Sequence, residues 1–344
     1  MPPALQQGPD PGPEGGAPRG AVERGRVRPL VALLLLAATM AEFLTGSTPV
    51  LQVFANPWQL LLLMGGYGGG ALLIRETAIR WGKGWAGVLF LGGAYAVGEE
   101  GFGAKTMIDP LHSNIGNQLY SHFLGVNWVP LADLTLFHAA FSIAVPLIIV
   151  DVAFPDFRGR PLVGYPGMAM AGASYFLVFS FVSLRTPYQP QPAVYVFLAS
   201  YALAWIAAAW KVGPRLLQPR TSAPDRGERA FLLLGVWFIG GFFAIGGLGP
   251  QLLPWPATAA LFVPLAVSVA WYLKKHAGAE ESLPKIDFVI GAVSAFVPLD
   301  VLLEVTKDPG VLVYTAGVMA VLLLVRRKVR AAPEPKSGSG PGRD

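Results

Sequence analysis

The chain has no cysteine, only four histidines, and charge on just 14% of its 344 residues. Without cysteine there are no disulfides, thiolate metal sites or cysteine nucleophiles, so any metal chemistry falls to carboxylates and imidazoles. Walker-type phosphate loops, the HExxH zinc motif and the GxSxG serine elbow are also missing. Their absence argues against ATP hydrolysis by this chain alone and against the common soluble hydrolase designs. What is abundant is apolar: 53% of residues are hydrophobic, accompanied by 41 glycines and 31 prolines. Inside a bilayer both helix breakers are tolerated, because neighbouring helices satisfy the freed backbone groups.

The apolar residues fall in blocks long enough to cross a bilayer, which takes ~20 residues of helix. The reading is an all-α, polytopic transmembrane helical bundle. Ten spans are expected, at approximately 30–46, 58–75, 84–104, 130–151, 163–184, 192–211, 230–249, 254–273, 286–304 and 309–326. The run from Leu30 continues into Glu42 with no small-residue cleavage site, so it reads as a first span, not a secretory signal. Residues 1–28 and 329–344, rich in Pro, Gly and charge, are expected as disordered cytoplasmic tails around a membrane domain at 29–328.

Ten spans with both termini inside place all but Lys105, Arg185 and Lys307 of the 26 lysines and arginines on the cytoplasmic side. This satisfies the positive-inside rule and points to a prokaryotic plasma membrane. Acids distribute differently, with Glu42, Glu99, Glu100, Asp109, Asp133, Asp300, Glu304 and Asp308 in the outer half. Basic residues facing anionic lipid account for the net charge of +5, so the bilayer is the implied partner and nucleic acid is not. Nothing in the sequence sets an oligomeric state.

Small residues recur at four-residue spacing in "GGYGGG" (65–70), and Gly92, Gly93 and Gly98 follow in the next span. Spans 2 and 3 are therefore expected to pack closely. Pro146, Pro264 and Pro298 lie inside spans in similar surroundings, "AVPL", "FVPL" and "FVPL", and each should kink or interrupt its helix. Broken helices of this kind occur at transporter sites.

"AVGEEGFGAK" (96–105) sets Glu99 and Glu100 within the third span. A charge at the membrane centre costs about 2.5–3.5 kcal/mol on the insertion scale, so an intramembrane acid is a functional candidate by default. Neighbouring helical residues diverge by ~100°, so the two glutamates are expected to point in different directions, bordering one groove or serving different partners. On the next span Thr135, His138 and Ser142 follow the three-then-four spacing of one helical face, at an overlapping depth. Asp109, Arg185 and Asp300 complete the candidate binding set, while Glu42 and Asp133 are expected near the interface as solvated side chains. The loop from Lys105 to Pro130 carries Asp109, His112, Asn114, Asn117, His122, Asn127 and Trp128 and is expected to fold over the glutamates or to anchor at the interface.

Two resemblances follow from these residues. Adjacent glutamates on one span and a histidine on the next resemble the first two motifs of the CPBP family of intramembrane proteases. The likeness implies a site that activates water for peptide cleavage, with or without metal. On that likeness Glu99 and Glu100 match the pair of EExxxR and His138 the histidine of FxxxH. The arginine position is Ala104, the phenylalanine position is Leu134, and no later HxxxN or HxxxD motif is present. The series "EEG", "DP", "GVNW", "HAAFSIAVP" and "FP" across residues 92–166 also looks like a pattern in uncharacterised prokaryotic multi-pass proteins, which carries no activity with it.

Three functions are compatible with these features. A transporter or permease would use the acidic outer site for a cation, a proton or a small cationic substrate. An intramembrane hydrolase would use Glu99, Glu100 and His138 as catalytic residues around water or a divalent metal such as zinc. A membrane scaffold or lipid-binding protein would require neither.

Overall fold

Apolar residues on the segment Trp128–Ala153 point two ways. Phe137, Phe141, Val145, Ile149 and Val152, spaced by four and three, belong to one buried cluster, whereas Ile143, Leu147 and Val150 belong to another. A helix whose two faces are both apolar must be covered on both sides. This one is the most enclosed of the long apolar helices, with 72% of its apolar window buried.

The computed structural model describes residues 19–112, 119–213, 216–217, 228–277 and 282–331. The terminal stretches 1–18 and 332–344, and Asn114 and Asn117 of the long loop, lie outside the described residues. In chain order the elements are α1 (Arg19–Leu44), α2 (Val50–Ala55), α3 (Pro57–Leu63), α4 (Gly69–Arg80), α5 (Trp85–Ala96), a hairpin of β1 (His122–Phe123) and β2 (Val126–Asn127), α6 (Trp128–Phe137), α7 (Val145–Ala153), α8 (Tyr165–Arg185), α9 (Pro192–Lys211), α10 (Glu228–Leu252), α11 (Trp255–His276), α12 (Leu283–Ser294), α13 (Val297–Thr306) and α14 (Val311–Ala331). Wide π-helical turns at Met64–Gly68 and His138–Ala144 interrupt two of the long helices, and one at Val97–Gly103 ends a third.

The fold is an all-α polytopic bundle. Eight helical segments among the described residues are long and apolar enough to cross a membrane. The other two expected spans are also helical, over Trp85–Gly103 and Val311–Ala331. The first carries its two glutamates within its length, and the second ends in the basic run Arg326–Arg330. The first helix begins at Arg19, within the stretch expected as a tail.

The first core joins α1, α4, α5, α7 and α8, and the second joins α7, α10, α11, α12 and α14. The glycine-rich stretch meets span 3, as expected, at Gly70, where a Cβ would fall on the Tyr95 ring of α5, and it meets other helices as well. A Cβ on Gly65 or Gly66 would meet Val178 of α8 at 3.3 and 3.1 Å, and one on Gly68 would meet Leu34 of α1 at 2.9 Å. The π turn breaks the four-residue register, so these glycines face several neighbours in place of one. The closest approach that matters for the site is elsewhere: a Cβ on Gly92 would lie 2.7 Å from the Ala139 Cα, so α5 crosses the central helix backbone to backbone.

Pro146 and Pro298 both stand in the first turn of a helix that follows a break, at the starts of α7 and α13, whereas Pro264 lies inside α11. Proline lacks the N–H that a first turn leaves unpaired in any case, so it restarts a helix at little cost.

Candidate functional site

Side chains from the three π turns converge on one place. Such turns are rare, and they concentrate at functional positions. The first contains Tyr67, the second Glu99 and Glu100, and the third His138 and Ser142. In the second turn the amide of Ala104 donates to the Glu99 carbonyl at 2.7 Å, five residues back, instead of the four of an α-helix. The two carboxylates reach opposite nitrogens of one imidazole, so they border the same groove, one of the two arrangements their divergence allows.

Nε2 of His138 lies 3.0 Å from Oε1 of Glu100, and its Nδ1 lies 3.3 Å from Oε2 of Glu99. Ser142 Oγ is 3.0 Å from the same Nδ1. Glu99 is 1% exposed and His138 3%, so these groups have left bulk solvent almost completely. Thr106, at the start of the long loop, donates its hydroxyl to Glu100 Oε2. The Tyr95 and Tyr67 rings stand 6.0 and 6.5 Å from the imidazole and wall off its sides.

A second acid group adjoins the first. Tyr67 donates its phenol to Oε1 of Glu42, and Thr48 donates to Oε2 at 2.5 Å. Glu42 was expected as a solvated interfacial side chain, but it is partly buried and lines the same cavity as Glu99, Glu100 and His138. Asp133, expected at the interface as well, also lines it, and its Oδ1 is buried without a hydrogen-bond partner. The chain signalled Glu42 only as an acid at the end of an apolar run. Tyr67 gave no signal of its own within the glycine stretch.

The cavity measures about 970 Å³. Glu42, Glu99, Glu100, Asp133 and His138 supply its charge, and no lysine or arginine lines it among the described residues. Phe179 of α8 and Phe242 and Phe243 of α10 form an apolar wall, so the space lies between elements of both cores. The long loop closes one side. Its hairpin pairs His122 with Asn127, and the buried Asn127 donates to the Thr106 and Asp109 carbonyls at 2.8 and 2.9 Å. Tyr120 and Ser121 of that loop line the cavity, and Tyr120 donates to the Leu253 carbonyl at 2.5 Å.

The remaining candidates sit elsewhere. Thr135 donates to the Leu131 carbonyl at 2.6 Å, within its own helix, and lies outside the cavity lining. Asp109 accepts from the Leu111 amide at 2.9 Å and organises the loop. Arg185 is exposed and lies 4.9 Å over the Phe181 ring. Asp300 is buried between α13 and α14, where Thr315 donates to it at 2.7 Å.

Glu99, Glu100 and His138 each offer a ligand atom within 4.8 Å of the others. Carboxylate oxygen and imidazole nitrogen are the donors that zinc and its neighbours accept at about 2.0–2.2 Å. Three such donors beside an open cavity leave a coordination position for water or substrate.

Residues 31–274 match the model of an uncharacterized membrane protein family. Comparison with curated proteins and with solved structures finds no match.

Proposed function

The chain belongs to an uncharacterized membrane protein family, and we propose that it is a transport protein that binds a divalent cation of the zinc class in its intramembrane cavity. Glu99, Glu100 and His138 are the ligands in this reading. Glu42, held by Tyr67, and Asp133 supply the surrounding negative field, and Thr106 and Ser142 orient the ligating groups. The observation that carries it is the composition of the cavity wall: four carboxyl side chains and one imidazole, with no lysine or arginine among the described residues. Uncompensated acids are costly in a low-dielectric site. A bound cation removes that cost, and its binding competes with protons for the same oxygens and nitrogen.

In this reading the protein lies in a prokaryotic plasma membrane with both termini cytoplasmic, so the acid cavity belongs to the outer half of the bundle. The helix breaks before Pro146 and Pro298 supply joints about which the two cores can shift. The test is uptake by proteoliposomes that hold the purified protein and a zinc-sensitive dye. Wild type should accumulate zinc, and Glu100→Gln should reduce the rate at least tenfold. Equal rates in protein-containing and empty vesicles would contradict transport.

A hydrolase reading is favoured by one observation, the contact of one imidazole with two carboxylates beside a cavity large enough for a peptide segment. There Glu100 or Glu99 would accept a proton from water and His138 would hold the developing charge. Cleavage of a membrane peptide by wild type, lost in Glu100→Gln and unaccompanied by zinc uptake, would select this reading over transport.

A further inference from the structure

A metal ion and one bound water occupy roughly 60 Å³, at ~30 Å³ for each water-sized body, whereas the acid cavity measures about 970 Å³. Most of that space therefore suits something larger than an ion. Its two apolar walls come from different cores. α8 packs on α4 and on the π turns at Met64–Gly68 and Val97–Gly103, and α10 packs on α11 and α12. Phe179 and Phe181 stand on the first wall, and Phe242 and Phe243 on the second. Gly246 and Gly247 of α10 also line the cavity, and a Cβ on either would meet nothing within 4 Å among the described residues. Small residues in a membrane helix ordinarily admit a neighbouring helix; beside these two the space is open.

The cavity also reaches the surface that faces the bilayer. Phe181 is 46% exposed although it lines the space, and the lining residues Gly247 and Gln251 are exposed as well. Only 17% of the apolar window of α8 and 28% of that of α10 is buried, so the two walls belong to helices that lipid touches.

We propose that the cavity admits an amphiphile from the bilayer, with its hydrocarbon chain between α8 and α10 and an ammonium head among the acids. The proposal rests on the reading of this cavity as a cation site, but not on the ion being zinc. Volume and wall chemistry select the chain: the space lies at the upper end of the roughly 300–1,000 Å³ of ligand pockets, and its apolar walls remove methylene groups from water. Charge selects the head. Glu42, Glu99, Glu100 and Asp133 line the cavity with no lysine or arginine among the described residues, so an anionic head would meet only like charge. The buried Oδ1 of Asp133 has no hydrogen-bond partner, and an ammonium N–H supplies the missing donor. The phenylalanine rings on both walls add the attraction of an aromatic face for a cation.

The test uses native mass spectra of the full-length protein in a nonionic detergent, titrated with decylammonium and with ethylammonium and decanol as head-only and tail-only probes. The zinc content of the same preparations is measured in parallel. Decylammonium should bind at least tenfold more tightly than either partial probe. Gly246→Leu should fold, because its new side chain enters open space, and should weaken decylammonium at least tenfold. Asp133→Asn should remove most of the preference for decylammonium over decanol. Wild-type protein that binds decylammonium but retains no zinc would support the amphiphile and overturn the zinc reading alone. Equal binding of decanol and decylammonium, or undiminished decylammonium binding in a folded Gly246→Leu, would overturn the proposal.

Discussion

Nε2 of His138 stands 3.0 Å from Oε1 of Glu100, across 38 residues of chain and between two different helices. Three local features make the contact: a wide turn beneath each partner and a glycine that lets their backbones meet. Each can be tested separately from the chemistry.

The backbone approach depends on Gly92, where a Cβ would lie 2.7 Å from the Ala139 Cα. Gly92→Val should push α5 away from the central helix, with an overpacking cost of about 1–3 kcal/mol. A lower unfolding temperature in detergent and a tenfold or greater loss of zinc affinity are expected together. Unchanged affinity would show that the crossing does not position the carboxylates.

Orientation of the ligands depends on Ser142 and Thr106, which bond His138 and Glu100 respectively. Removing such supporting partners costs roughly 10–100-fold in metal affinity. Ser142→Ala and Thr106→Ala should each fall in that range by isothermal titration, with little change in unfolding temperature.

The loop over the cavity is held at Lys105, which is 1% exposed and donates to the Ser183, Thr186 and Tyr188 carbonyls at 3.1, 2.9 and 2.8 Å. Burial pulls its ammonium below the ordinary lysine range, against the opposing charge of Asp109. Lys105→Met would leave these carbonyls unpaired, at about 1–3 kcal/mol for a buried group. Accelerated proteolysis in the segment 105–127 is expected, and wild-type resistance would contradict the anchoring role.

Much of this architecture was legible in the sequence because bilayer thickness imposes it. Apolar blocks of span length marked the helices, and the acids in the third span stood out because hydrocarbon penalises them. What was hidden is what depends on backbone detail. The divergence expected of Glu99 and Glu100 left open whether they share a groove, and nothing in "VGEEGFG" announces a π turn. Glu42 looked interfacial because its partner Tyr67 is brought to it by another helix, and Thr48 by the turn that follows α1. Conversely, Thr135 has the spacing of a site residue but donates to a carbonyl of its own helix. Periodicity assigns a face, but it does not report where a hydroxyl donates.

The central claim is that Glu99, Glu100 and His138 form a single cation site. The most direct test is the zinc content of purified protein after equilibration with the ion and removal of excess, compared with Glu100→Gln, His138→Ala and the remote control Asp300→Asn. One equivalent is expected in wild type and in Asp300→Asn, and less than a tenth of an equivalent in the other two. Wild-type protein that retains no ion, or site variants that retain a full equivalent, would contradict it.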